Sequence, residues 1–155
     1  MTATFAGHRW MLPQNIYSEL YREVAMACES GVNHFLVGTH GDFDRLALRA
    51  CLEMCRLNAG IRVEVYVSSF SVARNYDEIC RIYPQVSVTM CGEEEYYKRR
   101  ITEANNMMVD RSDLLICYVD RNRYRSGAAN MLARAEKKGC LLYTSDAADD
   151  LIGVD

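Results

Sequence analysis

The sequence predicts a three-layer α/β domain built on a parallel sheet, with strand order 3-2-1-4-(5). Three observations carry this. Short apolar runs alternate with segments of helical period, and parallel strands need crossover helices of that kind, which cover both faces of the sheet. Polar turns, most of them bearing glycine, follow the apolar runs. No repeat, low-complexity stretch or long linker divides the chain. Its 155 residues, half hydrophobic and a quarter charged, suit one domain with a sizeable core.

The elements follow in order. "TATFA" (2–6) is a short β-prone run, and Pro13 suits the first turn of the helix after it. Ile16, Leu20, Val24 and Cys28 recur at i+4, and Gly31 closes that helix. "HFLV" (34–37) is a buried strand and "GTHGDFD" (38–44) a turn. Leu46, Ala47, Ala50, Cys51 and Met54 are the inner face of a helix ending near "NAG" (58–60). In "IRVEVYV" (61–67) Ile61, Val63, Val65 and Val67 alternate with Arg62, Glu64 and Tyr66, as in a strand. The pattern then weakens through 68–95 into a polar helix near Glu95 to Asp110. "DLLICYV" (113–119) is a clear strand, "DRNRYRSG" (120–127) a loop, and "AANMLARAEKK" (128–138) a helix ending at Gly139. A further strand should follow, and "CLLYT" stands there.

From Cys140 to Asp155 the composition changes abruptly, with four acids and no base. "CLLYTSDAAD" is the translation of TGT CTC TTA TAC ACA TCT GAC GCT GCC GAC, a transposon-end sequencing adapter. The end of Gly153 with Val154 and Asp155 reads from the fixed stretch GTGTAGAT that follows a variable index. The expectation is therefore a domain over 1–139 and a non-native tail over 140–155. Setting the tail aside moves the formal charge from −3 to about +1, so net charge does not point to a partner.

The seven cysteines are odd in number, lie mostly in apolar surroundings and form no C-x-x-C pair. They read as reduced core thiols. With no signal-peptide pattern and no apolar stretch near membrane-spanning length, the expectation is a soluble cytoplasmic protein with no membrane partner.

Open parallel sheets bind ligands outside the carboxyl ends of their strands, where the strand order reverses. "GHR" (7–9), "GTHGDFD" and "DRNRYRSG" leave such ends and should converge on one crevice. Helix N-termini point there too, offering free N–H groups to an anion.

"FAGHR", "GTHGDFD", "NNMMVDRSDLLICY" and "SGAANMLARAEKKG" come in the order seen in the SLOG superfamily, and the chain most resembles its YpsA-like branch over residues 3 to 139. The resemblance implies a Rossmann-like fold. It also points to a relative of nucleotide-ligand sensors, phosphoribohydrolases or a DNA-processing protein. Two departures stand out. Ala104 occupies the place of the branch's usual arginine before Asn105. The phosphoribohydrolase G-G-x-G-T-x-x-E signature keeps one glycine in "SGAANM", with Met131 where its catalytic glutamate would be.

The leading expectation is binding of a nucleotide or nucleotide-derived phosphate ligand. Gly7, Gly38, Gly41 and Gly127 would allow backbone approach, His8 and Arg9 would bind as a pair with Arg9 on phosphate, and Asp44 would accept from a ribose hydroxyl. Thr39, Asn105 and Ser126 complete the set. The alternative is an enzyme acting at an N-glycosidic or nucleoside bond, with Asp42 or Asp44 as acid–base or nucleophile. Single-stranded DNA binding is a third reading, disfavoured because it needs a basic, aromatic-lined groove. Plainer roles stand beside these: tight turns for Gly38 and Gly41, a helix cap for Asp42 or Asp44, a structural His8 and a surface Arg9. His8, His34 and His40 show no metal-ligand spacing, and neither a metal nor a cofactor is expected. Lys98 to Arg100, after "EEE", read as a solvated helix face. Arg121, Arg123 and Arg125 either clamp a phosphate or keep their loop soluble.

Overall fold

The computed structural model describes residues 1–8, 14–91, 97–119 and 126–144. Six strands form one parallel sheet: β1 (Thr2–Gly7), β2 (His34–Val37), β3 (Arg62–Val67), β4 (Val86–Met90), β5 (Leu114–Tyr118) and β6 (Leu141–Thr144). Their spatial order is β4-β3-β2-β1-β5-β6. The helices are α1 (Ile16–Glu29), α2 (Asp42–Leu57), α3 (Phe70–Arg74), α4 (Asp77–Ile82), α5 (Tyr97–Asp110) and α6 (Gly127–Lys138).

β1 lies in the middle because nothing on it needs water. Ala3 and Phe5 enter one core, Ala6 enters the other, and the buried Thr4 hydroxyl donates to the Leu36 carbonyl at 2.8 Å. From β1 the chain steps outward through β2 and β3 to β4. Its crossovers pack on one face around Phe5, Phe35, Val37, Phe43 and Val65. Right-handed crossovers require the connections of a run in one direction to share a face. The chain then returns through α5 to place β5 on the other side of β1. α5 and α6 cover the second face over Leu36, Tyr66, Met108, Leu115 and Leu132. The strand order reverses between β1 and β5.

The expected order survives as β3-β2-β1-β5-β6, with one strand added. β4 pairs with the outer side of β3, Val63 opposite Val86 and Val67 opposite Met90. Reading 68–95 as a weakening pattern missed it because an edge strand is half wet. Val86 is buried while Ser87 and Met90 are exposed, and α3 and α4 before it bury no residue fully. β6 fills the place predicted after Gly139, pairing with β5 from Leu114 opposite Leu141 to Cys117 opposite Thr144.

Helix ends follow local chemistry. Gly41 precedes α2 at φ 102°, a backbone conformation that other residues rarely adopt. Ser126 caps α6 by accepting from the Ala129 N–H at 3.0 Å, and Gly139 ends it in the left-handed region at φ 82°. Lys138 Nζ donates to the carbonyls of Val109, Asp110 and Ser112, and Arg134 grips the Asp110 carboxylate with two 2.8 Å bonds, holding the end of α5 against α6. That grip holds the Asp110 carboxyl below its usual range.

A polar knot occupies the second face near the amino ends of β2 and β3. Glu64 receives Arg111 in a fork at 2.9 and 3.2 Å, the Thr89 hydroxyl at 3.0 Å and His34 Nε2 at 3.0 Å. Arg111 also donates to the Tyr66 hydroxyl. All seven cysteines are free thiols. Burial raises the thiols of Cys55 and Cys91 to about 11, so they stay protonated at neutral pH. Among the described residues no helix is long and apolar enough to cross a membrane.

Candidate functional site

The carboxyl end of β1 is closed tightly by α2. A Cβ on Gly7 would stand 2.1 Å from Cγ of Phe43, whose ring is 1% exposed. Gly7 is therefore needed for packing, whatever else it does. His8, 6% exposed, is buried at the same end and is not without a partner. Arg9 and residues 120–125, with Arg121, Arg123 and Arg125, lie outside the described residues.

The β2 turn is built around Asp44. One of its carboxylate oxygens accepts the His40 N–H at 2.8 Å and would lie 2.8 Å from a Cβ on Gly38. The acid in the first turn thus reaches back past the N-cap Gly41 to the N–H of the residue before it, tying the turn to the helix start. Gly38 leaves room for it, and Gly41 supplies the bend. Thr39 ties the turn to the next strand by donating its hydroxyl to the Tyr66 carbonyl at 3.3 Å. Asp42 points elsewhere: it is exposed and paired with Arg45 one turn along.

These contacts give the Asp44 carboxylate a measurable role in the fold. Asp44→Ala should lose about 0.5–2 kcal/mol in urea unfolding, and Asp44→Asn should lose little, because asparagine keeps an acceptor oxygen of the same reach. Equal losses in both variants would show that the carboxylate's charge matters, not its cap.

The opposite wall comes from α5 and α6. The Asn105 side-chain nitrogen lies 3.3 Å from where a Cβ on Gly127 would stand, so Asn105, Ser126 and Gly127 form one group. Met108, less than a turn further along α5, approaches the Gly38 position to 3.4 Å. One helix thus touches both the α6 start and the β2 turn, with the buried Met108 between them at the carboxyl ends of the strands.

Two residues here were not singled out from sequence. Ser68 directly follows β3 and is 2% exposed, and its hydroxyl has no hydrogen-bond partner among the described residues. Arg100, in the first turn of α5, donates from Nη1 to the Ser68 carbonyl at 2.9 Å. Reading Lys98 to Arg100 as one solvated face holds for Lys98 and Arg99, which are exposed, but Arg100 turns inward. The signal was present: Arg100, Ala104 and Met108 recur at i+4, and the last two are buried.

What these residues offer chemically is backbone N–H groups, hydroxyls, an amide and a guanidinium. Among the described residues no three His, Cys, Asp or Glu side chains are grouped to hold a metal ion. Met131, at the place of a catalytic glutamate in the phosphoribohydrolase signature, is 5% exposed in the core under α6. No protein-family model matches the chain, and no curated protein matches it.

Proposed function

We propose that this domain binds a nucleotide or nucleotide-derived phosphate ligand in the crevice at the carboxyl ends of its strands. The observation that carries the reading is the contrast between two helix starts. The first turn of α2 holds Asp42 and Asp44, which repel an anion; that of α6 holds no acid. The Ala129 N–H is taken by Ser126, but the geometry of a helix leaves the N–H groups of Gly127 and Ala128 without partners inside it. Gly127 has no side chain to hinder approach, and the Asn105 amide stands beside it. The phosphate belongs at α6, where N–H groups and the helix dipole favour it, and the sugar or base belongs toward the β2 turn. This agrees with what the resemblance to the SLOG superfamily implies. Binding is favoured over bond cleavage because Asp44 is engaged in its own turn, Asp42 is paired at the surface, and Met131 is apolar and buried.

Calorimetric titration with AMP, ADP and adenosine tests the reading. AMP and ADP should bind more tightly than adenosine. Asn105→Asp, which brings a negative charge beside Gly127, should weaken AMP at least tenfold, about 1.4 kcal/mol, with little change in adenosine binding or melting temperature. Adenosine binding as well as AMP, or an unaffected Asn105→Asp variant, would overturn it.

A further inference from the structure

At the other end of the sheet, the amino ends of β2, β3 and β4 border a groove of about 310 Å³ whose polar lining is His34, Arg62, Glu64, Gln85 and Ser87. That volume is enough for a small metabolite. Strand pairing explains why these side chains meet. Phe35 and Val37 enter the first core and Leu36 the second, while Val63, Val65 and Val67 enter the first and Tyr66 the second. His34, Arg62 and Glu64 therefore share the second face. Arg62 stands opposite His34, and Glu64 stands opposite Ser87 on the edge strand. Neighbouring strands lie about 4.8 Å apart, so the lining crosses three strands in roughly 10 Å. Helix cover ends here: Arg111, just past α5, reaches Glu64, while Arg62 and Ser87 are exposed.

The sign of the ligand follows from how the charges are spent. Glu64 is the one acid in the lining. A carboxylate has about four lone-pair positions, and those of Glu64 are taken by the two prongs of Arg111, the Thr89 hydroxyl and His34 Nε2. Arg62 lies two residues earlier on the same face, and its guanidinium has no hydrogen bond or ion pair among the described residues. Its natural partner is occupied by Arg111, so its charge stands uncompensated in the groove. The wall beside it is fixed. Gln85 Nε2 donates to the carbonyls of Cys55 at 2.9 Å and Asn58 at 3.2 Å, which ties the start of β4 to the end of α2 and covers carbonyls that would repel an anion.

We propose that this groove binds a small anionic metabolite, whose phosphate or carboxylate group is held by the Arg62 guanidinium and the Ser87 hydroxyl. Arg62 supplies charge and a planar fork of donors that matches either group. The site lies at the opposite ends of the strands from the α6 start, and it stands apart from the proposed nucleotide site.

Amide NMR spectra of wild type, Arg62→Gln, Arg62→Lys and Ser87→Ala, titrated at constant ionic strength with inorganic phosphate, malonate and ethylenediamine, test it. Phosphate or malonate should shift the His34, Arg62 and Ser87 amides saturably, the tighter of the two naming the group that the site prefers, and the diamine should not. Arg62→Gln should weaken that anion at least tenfold, and Arg62→Lys should weaken it less, since lysine keeps the charge and loses the fork. Ser87→Ala should weaken it about two- to fivefold. Both side chains are exposed, so melting temperatures should stay unchanged. Unshifted amides with both anions, an affinity equal in wild type and Arg62→Gln, or preferred binding of the diamine overturns the site. Shifts confined to Asn105 and Gly127 overturn it as well and place the anion at the α6 start.

Discussion

Gly7→Ala should destabilise the domain by about 1–3 kcal/mol, the range for overpacking a filled core, and lower its melting temperature by several degrees. The added methyl would sit 2.1 Å from Cγ of Phe43, about 1.5 Å inside normal contact. Phe43 cannot swing aside, because its ring is closed in by the core that includes Phe5, Ile16, Leu20 and Val37. Gly7 cannot retreat either, since β1 pairs on both sides and Gly7 itself stands opposite Tyr118 of β5. The cause is testable by a double-mutant cycle. In a Phe43→Leu background, which clears space over β1, the penalty for Gly7→Ala should fall to a few tenths of a kcal/mol. A penalty unchanged by Phe43→Leu would place the strain elsewhere, and ligand binding lost without any fall in stability would return Gly7 to a purely ligand-facing role.

Glu64→Ala should remove about 2–3 kcal/mol at pH 7, since it breaks a two-pronged bond from Arg111 together with contacts from Thr89 and His34. Its side chain is 18% exposed, which is closed enough for the loss to leave Arg111 poorly solvated beside Tyr66. Burial by itself raises the Glu64 carboxyl. Hydrogen bonds from Arg111 and Thr89, with the charges of Arg111 and His34, outweigh it and hold the group below its ordinary value of 4.5. A carboxylate lowered in the folded state contributes stability that is fully present above its unfolded pKa and is lost as pH falls through the folded one. The gap between wild type and Glu64→Gln should therefore be constant from pH 7 to about 5.5 and shrink below about 4.5. Urea unfolding at pH 7, 5.5, 4 and 3 measures this. A gap that widens on acidification would mean that the desolvation cost, not the ion pairs, governs Glu64.

The layers and the central position of β1 were legible because buried strands read as unbroken apolar runs. "HFLV" and "LLICY" cannot sit anywhere wet, and the glycines that follow "TATFA" and "HFLV" mark where those strands stop. β4 was not legible: an edge strand alternates buried and exposed residues irregularly, and the short helices before it have no periodic face. The same division holds at the crevice. Gly38, Asp44 and Gly127 could be singled out because strand ends in a parallel sheet fix where a site can form, and Asn105 only through the resemblance. Arg100 and Ser68 were not singled out: the i+4 stripe of Arg100, Ala104 and Met108 marks an arginine turned inward, but the backbone carbonyl it engages has no signature in the sequence. The part that Asp44 plays in its own turn was one of two readings open in the sequence, and the contact with the His40 N–H shows that part.

The central strand has a consequence for how the chain must be made. β1 borders β2 nearby in sequence, but its other neighbour is β5, and Thr2 meets Asp113 across 111 residues. At about 5–20 residues per second of synthesis, the amino-terminal strand waits on the order of 5–20 s for that partner. The half that emerges first, β1 to β4 with α1 to α4, can close only its first face. Ala6, Leu36 and Tyr66 on the other face stay bare until α5 and α6 arrive. Late, long-range pairing of this kind slows folding, so the nascent chain depends on protection of that one face, and a ribosome stalled before α5 would hold a half-sheet with its greasy side open.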